Sequence, residues 1–263
     1  MSDLQLRVLG PLTAYRDGVE VALGGRRQRM VLATLLVARG RMLPEERLRD
    51  LVWSDGGRLA GRATLHGYVA GLRRALEPDR PMRSPSRVLL REGPGYAVRV
   101  PAEQVDTERF AELVTHGRTL LDGGRPAAAV GVLTDALGLW RGPAYADLAG
   151  ASFVLPEIAR LDAMRTVAAE LRLTAMLALG RHPEVLGELQ ALVLEQPQRE
   201  RGWELLAVAL YRAGGGAAGH RPGRAGGGAA RHWPTMVGAP RADRRSQWDP
   251  SGERHRPAYD QPL

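Results

Sequence analysis

Arg62, His66, Arg73 and Arg74, with Gly67 and Ala70 between them, are the residues whose types and spacing point to chemistry. In the stretch from Gly61 to Glu77 they fall on one side at helical spacing, cationic at both ends and small in the middle. Such a face suits a polyanion. Arginine meets phosphate or guanine, and a small centre lets a helix lie close against base edges in a groove. The competing reading is a surface helix with solvated arginines. What flanks the helix decides between them.

Other chemistries lack a constellation. The six histidines, His66, His116, His182, His220, His232 and His255, form no metal-ligand spacing with carboxylates. All 37 basic residues are arginine, so no lysine can serve a phosphate-cradling loop. The glycine runs at 214–216 and 226–228 are low-complexity sequence. With no cysteine, disulfides and thiolate metal sites are excluded. We therefore expect no enzymatic activity, no metal and no cofactor.

The charge is unevenly placed. Residues 1–100 hold 18 Arg and 10 acids, residues 101–213 hold 11 Arg and 15 acids, and residues 214–263 hold 8 and 4. A basic first block joined to an acidic middle predicts that only the first part meets a polyanion. No stretch approaches the roughly 20 apolar residues of a membrane span, and the N-terminal MSDLQLRVLG lacks a signal-peptide pattern. A cytoplasmic, nucleoid-associated protein with no membrane partner is expected.

The cationic face needs a core to stand on. Leu65, Val69, Leu72 and Leu76, with Tyr68 beside them, form the inward stripe of a helix over 61–77. Before it, a helix over 26–38 turns Met30, Val31, Thr34, Leu35 and Ala38 inward, and Gly40 stops it. Pro44 suits the first position of a second helix, with Glu45 and Glu46 at the positive end of its dipole. Leu48, Leu51 and Val52 face inward there, and the polar loop from Ser54 to Ala60 follows.

Upstream, Leu4, Leu6 and Val8, then Leu12 and Ala14, then Val19, Val21 and Leu23 alternate with polar residues, and Asp17-Gly18 marks a two-residue hairpin. Downstream, Val88 and Leu90 form one arm of a second hairpin and Tyr96, Val98 and Val100 the other. Pro94 and Gly95 are expected at the centre of a type II turn. Arg87, Arg91 and Arg99 decorate that hairpin and make it a minor-groove probe beside a basic helix. Sheet, three helices and basic hairpin predict a winged helix-turn-helix over residues 1–101.

Residues 102–213 read as helical throughout. Phe110, Leu113, Val114, Gly117, Leu120 and Leu121 form one face, and Pro126 opens a partner helix with Val130, Leu133, Leu137 and Trp140. Longer helices are expected over about 156–179, 183–195 and 199–211. The phrase LDGGRP at 121–126 returns as LALGRHP at 177–183 and begins again as LYRAG at 210–214. Gly180 and Gly214 lie 34 residues apart, the period of tetratricopeptide-type helical pairs. Such pairs build protein-binding surfaces; a plain helical bundle is the other reading. From Gly214 onward Gly, Arg and Pro dominate, and the only Leu, Ile, Val or Phe are Val237 and Leu263. That composition predicts a disordered tail. Its stray Trp233 and Trp248, and the abrupt loss of apolar period, match an out-of-frame reading of further helices.

Several phrases of this two-part chain carry a resemblance to a known family. LRVLGPL at 6–12, LGGRRQR at 23–29, TLHGYVAGLRRAL at 64–76 and GPGY at 93–96 resemble the Streptomyces antibiotic regulatory protein family. DTERF at 106–110, ALGLWRGP at 136–143 and ALGRH at 178–182 resemble that family's bacterial transcriptional activation domain. The likeness covers about residues 4–213 and implies a mainly α fold with a small antiparallel β component. It has an OmpR-like winged helix-turn-helix, then a tetratricopeptide-like helical repeat domain, here followed by a low-complexity tail. It further implies a transcriptional activator that binds direct repeats in double-stranded promoter DNA of antibiotic (secondary-metabolite) clusters as a homodimer and recruits RNA polymerase. The implied DNA-binding residues are Arg62, Thr64, His66, Arg73, Arg74, Arg87, Arg91 and Tyr96. Asp55, Gly56 and Arg58 would face polymerase. Two features depart from the family. Ala63 stands where a polar Asn is common, and no amphipathic helix follows Ala213. The second departure favours an alternative: a helical-repeat interaction module, inactive or dominant-negative because its activation domain is truncated.

Overall fold

A computed structural model describes residues 3–54, 61–81 and 84–215. The expected tail beyond Gly215 and the loop residues Asp55, Gly56 and Arg58 lie outside the described residues. The first sheet contains β1 (Leu4–Arg7), β2 (Thr13–Arg16) and β3 (Val19–Val21), antiparallel in that order. Arg16 pairs with Val19, so Asp17 and Gly18 are the whole turn, with φ of 50° and 80°. Positive φ at both positions is the type I′ geometry that matches strand twist. Leu4, Leu6 and Ala14 are buried, whereas Val19, at the turn end of the edge strand, is 70% exposed and does not continue the inward alternation.

Three helices follow: α1 (Arg26–Val37), α2 (Glu45–Val52) and α3 (Arg62–Leu76). Met30 through Leu35 are all buried in α1. Pro44 does not open α2. It sits outside the helix with φ −57° and ψ 146°, and with Leu43 forms a short strand, β4 (Leu43–Pro44). The φ that proline fixes suits both a helix start and an extended edge; pairing with the second hairpin selects the extended form.

That hairpin joins β5 (Leu89–Glu92) to β6 (Gly95–Val98), and the second sheet runs β4-β6-β5. Glu92 pairs with Gly95, so the central turn residues are Gly93 and Pro94, one position earlier than the sequence suggests. Gly93 has φ 52° and proline holds Pro94 negative, the sign pattern of a II′ turn, so the expected type II turn is corrected. The buried side chain of β5 is Leu89, not Val88 or Leu90, because Leu89 pairs with Val98 on the core face.

The remainder is helical: α4 (Asp106–Asp122), α5 (Pro126–Gly138), α6 (Leu155–Ala178), α7 (His182–Glu195) and α8 (Glu200–Gly215). Phe110, Val114, Gly117 and Leu120 are buried, as the apolar period requires. Gly117 lets α5 approach closely, since a Cβ there would lie 2.5 Å from Leu133 Cγ. Gly180 ends its helical segment with φ 77°, but Gly214 lies within α8, so the two glycines 34 residues apart are not equivalent caps. On α8, Trp203, Leu210 and Tyr211 are exposed.

One buried cluster extends from Leu4 to Ala168, so the sheet-and-helix part and the helical part share a core. Residues between α5 and α6 seal the junction. The N–H of Arg141 donates to Leu9 O at 2.7 Å, that of Tyr145 to Val8 O at 2.9 Å and that of Leu12 to Asp147 Oδ1 at 2.8 Å. Asp106, at the start of α4, accepts from the N–H groups of Val8 and Leu9 at 2.9 Å.

Candidate nucleic-acid interface

The inward stripe of α3 is as its period predicts: Leu65, Val69, Leu72 and Leu76 are buried. Trp53 stacks on Tyr68 at 6.0 Å with planes 11° apart, linking the end of α2 to α3. Outward stand Arg62, Ala63, Thr64, His66, Gly67, Ala70 and Arg74, all exposed. A Cβ built on Gly67 would meet no atom within 4 Å. Arg74 has no ion-pair partner among the described residues. Arg87 is exposed beside the C-terminal end of α3, its backbone N–H donating to Glu77 Oε1 at 2.8 Å, while Ser86 donates its hydroxyl to the other carboxylate oxygen.

Arg73 and Tyr96 depart from the expected arrangement. The Arg73 Nε–H donates to Leu89 O at 2.9 Å, which ties α3 to the hairpin and engages the side chain internally. Burial lowers its pKa; the nearby Tyr96 pulls the other way. Tyr96 is only 3% exposed, so its ring belongs to the core and offers no surface to a duplex. The register explains this, because Tyr96 shares the inward face of the hairpin with Leu89 and Val98. Burial and the nearby Glu45 charge raise the Tyr96 hydroxyl pKa. The guanidiniums of Arg73 and Arg91 lie 5.7 Å and 5.6 Å from its ring centre.

Sequence reasoning missed the residue that joins these parts. Glu45, read only as a helix-dipole partner, has a side chain 5% exposed. Its Oε1 lies 3.2 Å from His66 Nε2 and 3.1 Å from Arg91 Nη2, and its Oε2 lies 3.4 Å from Arg62 Nε. Burial alone would raise its pKa. The His66 hydrogen bond and the His66, Arg91 and Arg62 charges outweigh that and hold the carboxyl below its ordinary value. Its backbone N–H donates to Pro94 O at 3.1 Å, at the hairpin turn. No spacing in the sequence signals this cluster, because Arg91 reaches Glu45 only through the pairing of β4, β5 and β6.

The arrangement presents a helix face and a hairpin side by side, both cationic and joined beneath by one carboxylate. Among the described residues no cluster of His, Asp or Glu could hold a metal ion, and no helix is long and apolar enough to cross a membrane.

The bacterial transcriptional activator domain family matches residues 105–219. The chain is 36% identical over 212 residues to the regulatory protein AfsR of Streptomyces coelicolor, covering 80% of this chain and 20% of AfsR. It is 31% identical over 214 residues to the regulatory protein DnrI of Streptomyces peucetius, covering 80% of this chain and 79% of DnrI. Its fold is similar to Mycobacterium tuberculosis EmbR, solved in complex with a low-affinity phosphopeptide. The TM-score is 0.76 at 33% identity, covering 83% of this chain and 57% of that one. The chain thus spans about a fifth of AfsR and just over half of the EmbR chain.

Proposed function

The chain belongs to the Streptomyces antibiotic regulatory protein family of transcriptional regulators, and from that we propose that it is a sequence-specific DNA-binding activator. Residues 1–101 bind the duplex, with α3 in the major groove and the β5–β6 hairpin as the wing. Arg62, Thr64, His66, Arg74, Arg87 and Arg91 supply the contacts, while Arg73 holds the wing. The sites are direct repeats in promoters of antibiotic biosynthetic genes, bound by a homodimer, and RNA polymerase is recruited through the 54–60 loop and the helical part.

Gly67 is the observation that carries this reading. A glycine inside a helix costs about 1 kcal/mol relative to alanine, and among the described residues nothing lies within 4 Å of a Cβ built on this one. Gly131 and Gly187 are as open inside α5 and α7, but Gly67 alone of the three stands on a face between exposed Arg62, His66 and Arg74, where a small centre fits a groove. Gly67→Ala is expected to stabilise the folded chain by about 0.5–1 kcal/mol while weakening DNA binding. Thermal unfolding beside a binding titration checks both signs, and a variant that gains both stability and affinity removes the argument.

Arg74→Ala tests the face directly. If Arg74 reads a base, affinity falls by roughly 1–3 kcal/mol and discrimination relaxes at one position. If it meets phosphate, affinity falls evenly across sequences and the salt slope decreases by about one. Footprints indistinguishable from the parent chain exclude Arg74 as a contact.

A helical interaction module is the second reading, favoured by the exposed Trp203, Leu210 and Tyr211 on α8. Absence of any salt-dependent shift of promoter DNA would select it.

A further inference from the structure

We propose that Glu45 is a positioning residue for sequence discrimination: from beneath the interface it holds His66, Arg62 and Arg91 in the geometry that tells one duplex from another. The inference rests on the DNA-binding reading above and adds to it a residue that touches no DNA.

The geometry supports an orienting role. The Glu45 carboxylate is covered by side chains from α3 and β5, and its backbone is fixed by the Pro94 carbonyl, so one group references both the helix and the wing. An ionised carboxylate only accepts hydrogen bonds, so His66 Nε2 must carry hydrogen toward it. In the neutral ring Nδ1 is then the acceptor, the complement of an exocyclic amine on adenine or cytosine. Arg62 approaches the carboxylate with Nε at 3.4 Å from Oε2. Arg91 divides its fork between Glu45 and the Tyr96 hydroxyl, the latter at 3.3 Å, and so stands beside the turn of the wing.

The three partner side chains are 44–68% exposed and so stand at the surface above the covered carboxylate. A negative charge below a DNA-binding face opposes binding to any polyanion. What it supplies is preorganisation of the contacting groups. The consequence is distinctive: neutralising Glu45 strengthens binding to arbitrary DNA and weakens the preference for the right sequence.

The test titrates the full chain, at one fixed salt concentration, onto a duplex it enriches from a random pool and onto that duplex with the enriched positions shuffled. Glu45→Gln and His66→Ala are each expected to lower the discrimination ratio roughly fivefold or more, and the double variant should lose no more than either alone. Glu45→Gln should bind the shuffled duplex at least as tightly as the parent. A charge effect alone raises both affinities, and partial unfolding lowers both, so neither moves the ratio. An unchanged ratio in Glu45→Gln, or additive losses in the double variant, overturns the assignment. His66 is exposed, so His66→Ala keeps the test open if Glu45 variants fail to fold; unchanged discrimination there overturns it as well. A parent chain that does not discriminate overturns the DNA-binding reading, and this inference with it.

Discussion

Asp106→Ala is expected to destabilise the folded chain by about 3 kcal/mol or more, because it strands two buried backbone donors at once. The carboxylate accepts from Val8 and Leu9 N–H at 2.9 Å, and Arg141 lies 3.7 Å away. Alanine leaves both N–H groups where β1 meets α4, at the seam between the sheet and the helical part. Chemical denaturation measures the loss, and a variant within about 1 kcal/mol of the parent, less than one lost buried partner, would show that water or backbone shifts satisfy those donors. The acid also predicts a pH trend. Burial raises the Asp106 pKa above 3.8, with the Leu9 and Val8 N–H groups and the Arg141 charge pulling it part of the way back. A raised carboxyl binds its proton more readily in the folded state. Its contribution is therefore fully present below pH 3.8 and is lost as pH rises through the folded value. Asp106→Asn should remove that slope.

Gly95→Ala is expected to cost roughly 3 kcal/mol and to weaken DNA binding at least tenfold through the wing. A Cβ at this position would lie 2.0 Å from Leu43 O and 2.6 Å from Leu43 C. Both are backbone atoms that no rotamer change can move. β4 must therefore part from β6, breaking the pairing of Leu43 with Tyr96 and the contact from Glu45 N–H to Pro94 O. Gly93→Ala is the control. Gly93 has φ 52° with nothing within 4 Å of a built Cβ, so only the roughly 1–2 kcal/mol of a left-handed non-glycine residue is at stake. Amide exchange at Leu43 and Glu45 distinguishes the two, and equal protection in both variants would contradict the close approach.

Both expected losses fall where distant segments meet, and those meetings are what the sequence conceals. Patterns set by a single element were legible. The 3.6-residue period placed Leu65, Val69, Leu72 and Leu76 inward and left Arg62, His66, Gly67 and Arg74 outward. The two consecutive positive φ values a I′ turn demands marked Asp17 and Gly18. The phrases at 64–76 and 136–143 led to the family, because they combine core, turn and surface positions that share no single physical cause.

Tertiary structure alone decided the partners. Pro44 has a φ that serves helix or strand, and only β6 alongside made it strand. Tyr96 and Arg73 look like surface binders by type, yet the register of β5 against β6 buries one and ties the other to Leu89. Glu45 shows nothing unusual in its own neighbourhood and gains its role from Arg91, 46 positions away. Local sequence sets periodicity and backbone angle. Which buried charge meets which cation depends on the three-dimensional path of the whole chain, and no short-range pattern encodes that path.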